Sequence, residues 1–197
     1  MINLAKLRKN LGLRITNPLM QVLSKSRLTP DILTFIGLGI SIGAAYFLAV
    51  GHFLLGGILI LVSGLFDLLD GALARFTKQT TKFGAILDST VDRISEAVLL
   101  CGLLIWYIPK GSILEILLIF AVLIGSFLVS YIRARAEGLG LECKVGLFTR
   151  AERIIVLAIG LLVGQVSIVL WILLVFVYVT TAQRLIYLRK ETAKTKD

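Results

Sequence analysis

Residues 67–92 read DLLDGALARFTKQTTKFGAILDSTVD, and they place four aspartates, two glycines and an arginine between runs as apolar as FLLGGILILVSGLF (residues 53–66) and AVLLCGLLIWYI (residues 97–108). A charged group at the centre of a bilayer costs about 2.5–3.5 kcal/mol on insertion scales. Four carboxylates kept in such a setting need something that neutralises them. This reading makes the stretch a metal-binding active site inside a membrane protein.

Composition supports the membrane. Of 197 residues, 57% are hydrophobic and only 17% charged, with a mean hydropathy of +0.93, whereas soluble domains sit near 45–50% apolar and about 25% charged. The length suits one bundle and leaves no room for a second globular domain of ordinary size. The net charge is +9, but the basic residues gather at segment ends and loops. That suits an anionic membrane face and an anionic substrate; no nucleic-acid recognition motif is present. Cys101 lies in an apolar segment and Cys143 in a basic loop, without a CxxC pair or a nearby histidine, which argues against a disulfide framework or a thiolate metal site. The N-terminus is basic and lacks the continuous apolar run of a cleavable signal peptide.

In chain order, residues 1–28 form a juxtamembrane unit. Leu4, Leu7 and Leu11, then Leu19, Val22 and Leu23, recur at helical spacing among Lys6, Arg8, Lys9 and Arg14. This predicts an amphipathic helix lying on the cytoplasmic leaflet; the plainer reading is a solvated basic tail. Spanning segments follow at about 32–50, 53–76, 83–108 and 113–132, joined by turns at Gly51-His52, 77–82 and Pro109-Lys110-Gly111. A charged stretch from Arg133 to Arg153 precedes the last apolar run, 154–181. As one helix that run would be about 42 Å long, against a hydrocarbon core of roughly 30 Å. Because the stretch before it and the tail after it are both basic, both should face the cytoplasm, which requires an even number of crossings. The run is therefore expected to break at Gly164-Gln165. The predicted fold is all-α: a polytopic bundle of six transmembrane helices (residues 29–188) in the cell membrane, with a basic tail at 189–197 and with both termini and the active site cytoplasmic.

Residues three and four apart share a helix face. Asp67, Asp70, Gly71, Ala74 and Arg75 fall on one face of the second segment, and Gly84, Asp88 and Asp92 on one face of the third. The short link predicts that these helices are antiparallel neighbours whose acids converge, with small residues at 71, 74 and 84 allowing close approach. Oxygen-only ligands suit a hard cation, Mg²⁺ or Mn²⁺, and Arg75 and Lys82 add cationic donors for phosphate. The competing structural reading pairs the carboxylates with Arg75 and Arg93 simply to hold helices together.

The spacing Asp67-x2-Asp70-Gly71-x2-Ala74-Arg75-x8-Gly84-x3-Asp88-x3-Asp92 resembles the motif of the CDP-alcohol phosphatidyltransferases at every defined position. The resemblance implies transfer of a phosphatidyl group from CDP-diacylglycerol to an alcohol, with release of CMP. It implies that Asp67, Asp70 and Asp88 hold the divalent metal, with Asp92 as base and possible further ligand. Gly71, Arg75 and Thr81, together with Ala74, would line the nucleotide and its diphosphate. Where the family usually shows Asn-x-x-Thr at the start of the first spanning helix, this chain has Asp31-Ile-Leu-Thr34, which puts an acid at a cytidine contact. A homodimer is also implied.

Beyond the motif, LDSTVDRISE (87–96), SYIRARAEG (130–138) and RAER (150–153) are most similar to phosphatidylinositol phosphate synthases, which implies inositol 1-phosphate as acceptor. Arg133, Arg153 and Arg184 are the expected clamp for its phosphate; alternatively they only enforce positive-inside topology. Glycerol 3-phosphate would need a similar clamp, and an archaeal ether lipid is equally compatible with an apolar groove. A cation transporter or channel is the reading from another class; it would want acids near the midplane and internal repeats.

Overall fold

The computed structural model describes residues 29–194, and among these it is all helix and turn, with no strand. Six α-helices follow one another: α1 (Pro30–Ala49), α2 (Phe53–Phe76), α3 (Lys82–Tyr107), α4 (Ile113–Gly138), α5 (Arg150–Leu162) and α6 (Val166–Lys194), with a 3₁₀ turn at Ile108–Lys110 between α3 and α4. The interfacial helix expected over residues 2–28 lies outside the described residues.

Local chemistry accounts for the helix ends. The Thr29 hydroxyl accepts the Ile32 N–H at 3.4 Å ahead of Pro30, and Thr81 accepts the Gly84 N–H at 2.8 Å, so each supplies an acceptor to an otherwise orphaned helix donor. The break between α5 and α6 falls where it was expected. Gly164 turns the chain at φ 72°, and the Gln165 N–H reaches back to the Gly160 carbonyl at 2.8 Å, a left-handed cap that glycine tolerates best.

Besides α6, which continues past Thr181 and through the expected tail to Lys194, two boundaries differ from the sequence expectation. Helix α4 runs past residue 132 to Gly138, because Arg133 donates to Glu137 one turn on at 2.8 Å and the charged residues extend the helix. Helix α5 starts at Arg150 rather than at 154: Glu152 accepts the Thr149 N–H at 2.8 Å and also the Thr149 hydroxyl. The charged connection therefore shrinks to 139–149, and Arg150 and Arg153 sit on a helix.

A third difference concerns the acid-bearing helices. Rather than packing as neighbours, α2 and α3 both pack on α1, which lies against each of them. Small residues allow this. A Cβ on Gly102 of α3 would sit 2.9 Å from the Ala45 Cα of α1, and Ala44 and Ala45 are themselves buried. The consequence is a cleft, rather than a seam, between α2 and α3. Helix α5 packs on α2, and α6 packs on α4 and α5, around a core that includes Leu48, Ile60, Leu103, Ile119, Leu161 and Leu170. Replacing Gly102 with Leu overpacks the α1–α3 contact at a cost of about 1–3 kcal/mol, which a lowered thermal midpoint of the purified chain would register.

Large apolar side chains also point outward. Phe35, Tyr46, Leu54, Leu68 and Ile113 are each more than half exposed, as expected for a surface that meets lipid. Four helices, α1, α2, α4 and α6, are long and apolar enough to cross a membrane. Helix α3 carries Asp88, Asp92 and Arg93 in its first half and Glu96 just beyond, and α5, with 13 residues, is only about 20 Å long.

Candidate active site

The last turns of α2 and the first turns of α3 bring three of the four aspartates together. Carboxylate oxygens of Asp67, Asp70 and Asp88 all lie within 4.8 Å of one another. Asp70 is buried, at 4% exposure, and accepts the Thr34 hydroxyl of α1 at 2.6 Å. Neither Asp70 nor Asp88 has an ion pair among the described residues, and neither Arg75 nor Arg93 pairs with any of the acids. The reading in which these arginines merely tie the helices together therefore has no contact behind it. Three close carboxylates, two of them without an ion pair and all offering oxygen alone, fit a hard divalent cation.

Asp92 is not one of this close trio but lies beside Asp67, on the same guanidinium nitrogen. Its Oδ1 lies 2.5 Å from Nη1 of Arg150, and the same Nη1 donates to Asp67 Oδ1 at 2.9 Å. The guanidinium of α5 thus bridges the metal-side acid and the fourth aspartate. This role was not anticipated. The Thr149-x-x-Glu152 pattern, a helix-start signature, could have placed Arg150 on the first turn of a helix, but not next to residues 58 and 83 positions away (150 − 92 and 150 − 67).

Three cavities meet at the acids. The first, about 220 Å³, opens between α1, α2 and α3, and it is lined by all six residues expected to contact the CDP-lipid: Asp31, Thr34, Gly71, Ala74, Arg75 and Thr81. A Cβ on Gly71 would stand 3.3 Å from Arg75 Nη1, so the missing side chain lets the guanidinium fold back over the cleft. Thr34 and Thr81 also have structural work, on Asp70 and on the start of α3.

The second cavity, about 570 Å³, lies on the other side of Asp88, which lines both. Arg133, Arg153 and Arg184 share its wall with Asp92 and Arg93. The three expected acceptor arginines are therefore together, though held differently. Arg133 is exposed and paired with Glu137. Arg184 is 3% exposed; its Nε donates to the Val145 carbonyl at 3.0 Å, and its Nη1 donates to the Val129 carbonyl. Arg153 is also 3% exposed and makes a two-pronged pair with Glu96, Nε–Oε1 at 2.6 Å and Nη2–Oε2 at 2.7 Å.

Glu96 was likewise missed as a site residue, although it continues the 88, 92, 96 face of α3 at i+4. Removing it strands a buried guanidinium. Glu96→Ala should cost about 3–5 kcal/mol in chemical or thermal unfolding of the purified chain. It should also raise the KM of a phosphorylated acceptor more than that of the CDP-lipid.

The third cavity is an apolar groove of about 240 Å³ between α2 and α5, lined by Ile60, Leu61, Leu65, Leu68 and Ile155, and it ends at Asp67 and Arg150. The acids thus sit where a small polar cleft, an arginine-rich cavity and an apolar groove converge. Such a site can hold a nucleotide, an anion and acyl chains around one reacting centre.

Known proteins resemble this chain in sequence and fold. The profile of the CDP-alcohol phosphatidyltransferase family matches residues 27–193. The phosphatidylinositol phosphate synthase of Mycobacteroides abscessus is 36% identical over 181 residues, 87% of this chain and 82% of its own. The archaetidylinositol phosphate synthase of Pyrococcus horikoshii is 37% identical over 181 residues, 90% of this chain and 94% of its own. Among solved structures, the phosphatidylinositol phosphate synthase of Mycobacterium tuberculosis with CDP-DAG bound is 36% identical and superimposes with a TM-score of 0.80, covering 87% of this chain and 92% of that one. The same enzyme with manganese and citrate gives a TM-score of 0.77 at 36% identity, covering 85% and 86%. With its four-aspartate motif intact and nearly its whole length matched, the chain belongs to the CDP-alcohol phosphatidyltransferase family and is a transferase of substituted phosphate groups.

Proposed function

We propose that the chain transfers the phosphatidyl group of CDP-diacylglycerol to a hydroxyl of inositol 1-phosphate, giving phosphatidylinositol phosphate and CMP. The observation that carries the choice of acceptor is the arginine cavity beside Asp92. Arg133, Arg153 and Arg184 line one wall of a space large enough for a phosphorylated sugar alcohol; Glu137 and Glu96 pair with the first two, while Arg184 meets only backbone carbonyls, so an anionic acceptor supplies the counter-charge it lacks among the described residues. The relatives named above have inositol phosphate lipids in common, whether diacyl or archaeal.

Each group has its place in this reaction. The arginines hold the acceptor's phosphate, which turns its hydroxyl towards Asp92. Asp92 takes the hydroxyl proton as the oxygen bonds to the phosphorus that carries the diacylglycerol. The bond from that phosphorus to the bridging oxygen of CMP breaks, and CMP leaves with the electron pair. Gly71 and Arg75 seat the diphosphate, while Asp31, Thr34, Ala74 and Thr81 line the rest of the nucleotide cleft. Asp67, Asp70 and Asp88 would hold Mg²⁺ or Mn²⁺, with Asp92 as a possible further ligand, and the cation when bound supplies positive charge to the diphosphate oxygens. The acyl chains lie in the groove between α2 and α5.

In the membrane all six helices cross, with both termini and the site at the cytoplasmic face and two copies forming a homodimer. Residues 29–188 form the bundle, and the last turns of α6, as far as Lys194, carry basic residues beyond it.

The test offers inositol 1-phosphate, glycerol 3-phosphate, serine and free inositol side by side to the purified chain in nanodiscs with CDP-diacylglycerol and Mn²⁺. CMP release with inositol 1-phosphate alone is the expected result. Release with glycerol 3-phosphate alone would make the chain a phosphatidylglycerophosphate synthase instead.

A further inference from the structure

Arg150 occupies the wall between two of the three cavities, lining both the arginine cavity and the apolar groove. Its Nη1 serves Asp67 and Asp92 together, at 2.9 and 2.5 Å. Its Nε, by contrast, is buried and has no hydrogen-bond partner. Buried donors without acceptors are rare, and an orphaned N–H on a guanidinium is among the costlier kinds. The cost is carried where the arginine cavity and the apolar groove meet, beside Asp67 and Asp92.

A guanidinium is a planar fork whose Nε and Nη2 share one edge and can grip two oxygens at once. Arg153 uses that edge on Glu96. In Arg150 the acids use Nη1 alone, and the Nε edge faces no carboxylate. A phosphate is the anion whose oxygen spacing suits such an edge.

The position of Arg150 says which phosphate. With acyl chains in the groove, nucleotide in the α1–α2–α3 cleft and acceptor among the arginines, the phosphorus that exchanges its bonds must lie at their junction, beside Asp67 and Asp92. We infer that Arg150 is a catalytic residue for the transferred phosphoryl group: Nη1 spaces Asp67 and Asp92, and the Nε–Nη2 edge binds the non-bridging oxygens on which charge builds as the new P–O bond forms and the bond to CMP breaks. Arg150 keeps its protons throughout; the hydroxyl proton goes to Asp92. This rests on the function proposed above.

The experiment compares Arg150→Lys and Arg150→Gln with the wild-type chain in nanodiscs. Lysine keeps the charge and the reach to the acids but not the fork. Both variants should lose about 10²–10³-fold in kcat for CMP release, the effect of removing a donor aimed at developing charge. The KM for inositol 1-phosphate, and the Mn²⁺ affinity measured without substrate by electron paramagnetic resonance, should stay within about threefold of wild type. If Arg150→Lys keeps its kcat, or if Mn²⁺ affinity falls in step with kcat, Arg150 only arranges the acids and the inference is overturned. Should the variants not fold, the wild-type structure with CDP-diacylglycerol decides. An Nε within about 3.2 Å of a non-bridging oxygen of the lipid phosphate is expected, and an Nε turned away from that phosphate overturns the inference. A wild-type chain that releases no CMP with any acceptor would sink the proposed function instead, and the lipid-bound structure would still decide on Arg150.

Discussion

Asp92→Asn should lower CMP release by about 10²–10⁴-fold, the usual contribution of a positioned general base. The substitution keeps the size of the side chain and leaves an amide oxygen for Arg150, but the amide cannot take a proton at neutral pH. The loss should fall on kcat, because the acceptor's phosphate is held by other groups. Mn²⁺ binding offers the sharper reading. Asp92 stands outside the close carboxylate trio and is engaged by Arg150 at 2.5 Å, so Mn²⁺ affinity should survive the change. A variant with full activity would remove Asp92 as base. One that loses metal and activity together would make it a metal ligand first.

Asp70→Asn tests the other half of the chemistry and should abolish activity through the metal. Asp70 is the most buried of the acids, lacks an ion pair, and accepts a hydroxyl from Thr34 at 2.6 Å. The amide preserves that hydrogen bond and the shape of the site, so the helices should stay in place. What it removes is one anionic oxygen from a set of three. Losing an outer-shell partner of a ligand commonly costs 10–100-fold in metal affinity; losing a ligand itself should cost about 100-fold or more. Thr34→Val, which removes only the orienting hydroxyl, should fall at about 10-fold. Titration of the purified variants with Mn²⁺, followed by electron paramagnetic resonance, separates the two. Equal affinity in Asp70→Asn and wild type would mean that the cation sits elsewhere.

The two halves of the molecule were not equally legible. The acid motif was, because its information is local: residues three, four and eight apart on one helix share a face whatever packs around them. The turn at Gly164-Gln165 could be read for a similar reason, since a lone Gly-Gln in a long apolar run has few other uses. The start of α5 was misplaced because charge was taken as loop, although Thr149 and Glu152 form a helix-start pair. The packing of α2 against α3 was misjudged because a short link constrains the ends of two helices and says nothing about a third helix lying against both.

Sequence by itself marked the candidate reacting groups: four carboxylates at two helix ends, small residues between them, and a supply of arginines, with oxygen-only donors narrowing the cation to a hard one. Only the tertiary structure decided how the charges are shared. It set Asp92 beside Asp67 on a shared Arg150, turned Arg153 onto Glu96 across 57 positions of chain, and opened a cleft by laying α1 against both acid helices. Helix periodicity is carried by covalent geometry and can be read along the chain, whereas ion pairs between distant residues exist only once small side chains such as Ala45 and Gly102 have set how closely the helices approach.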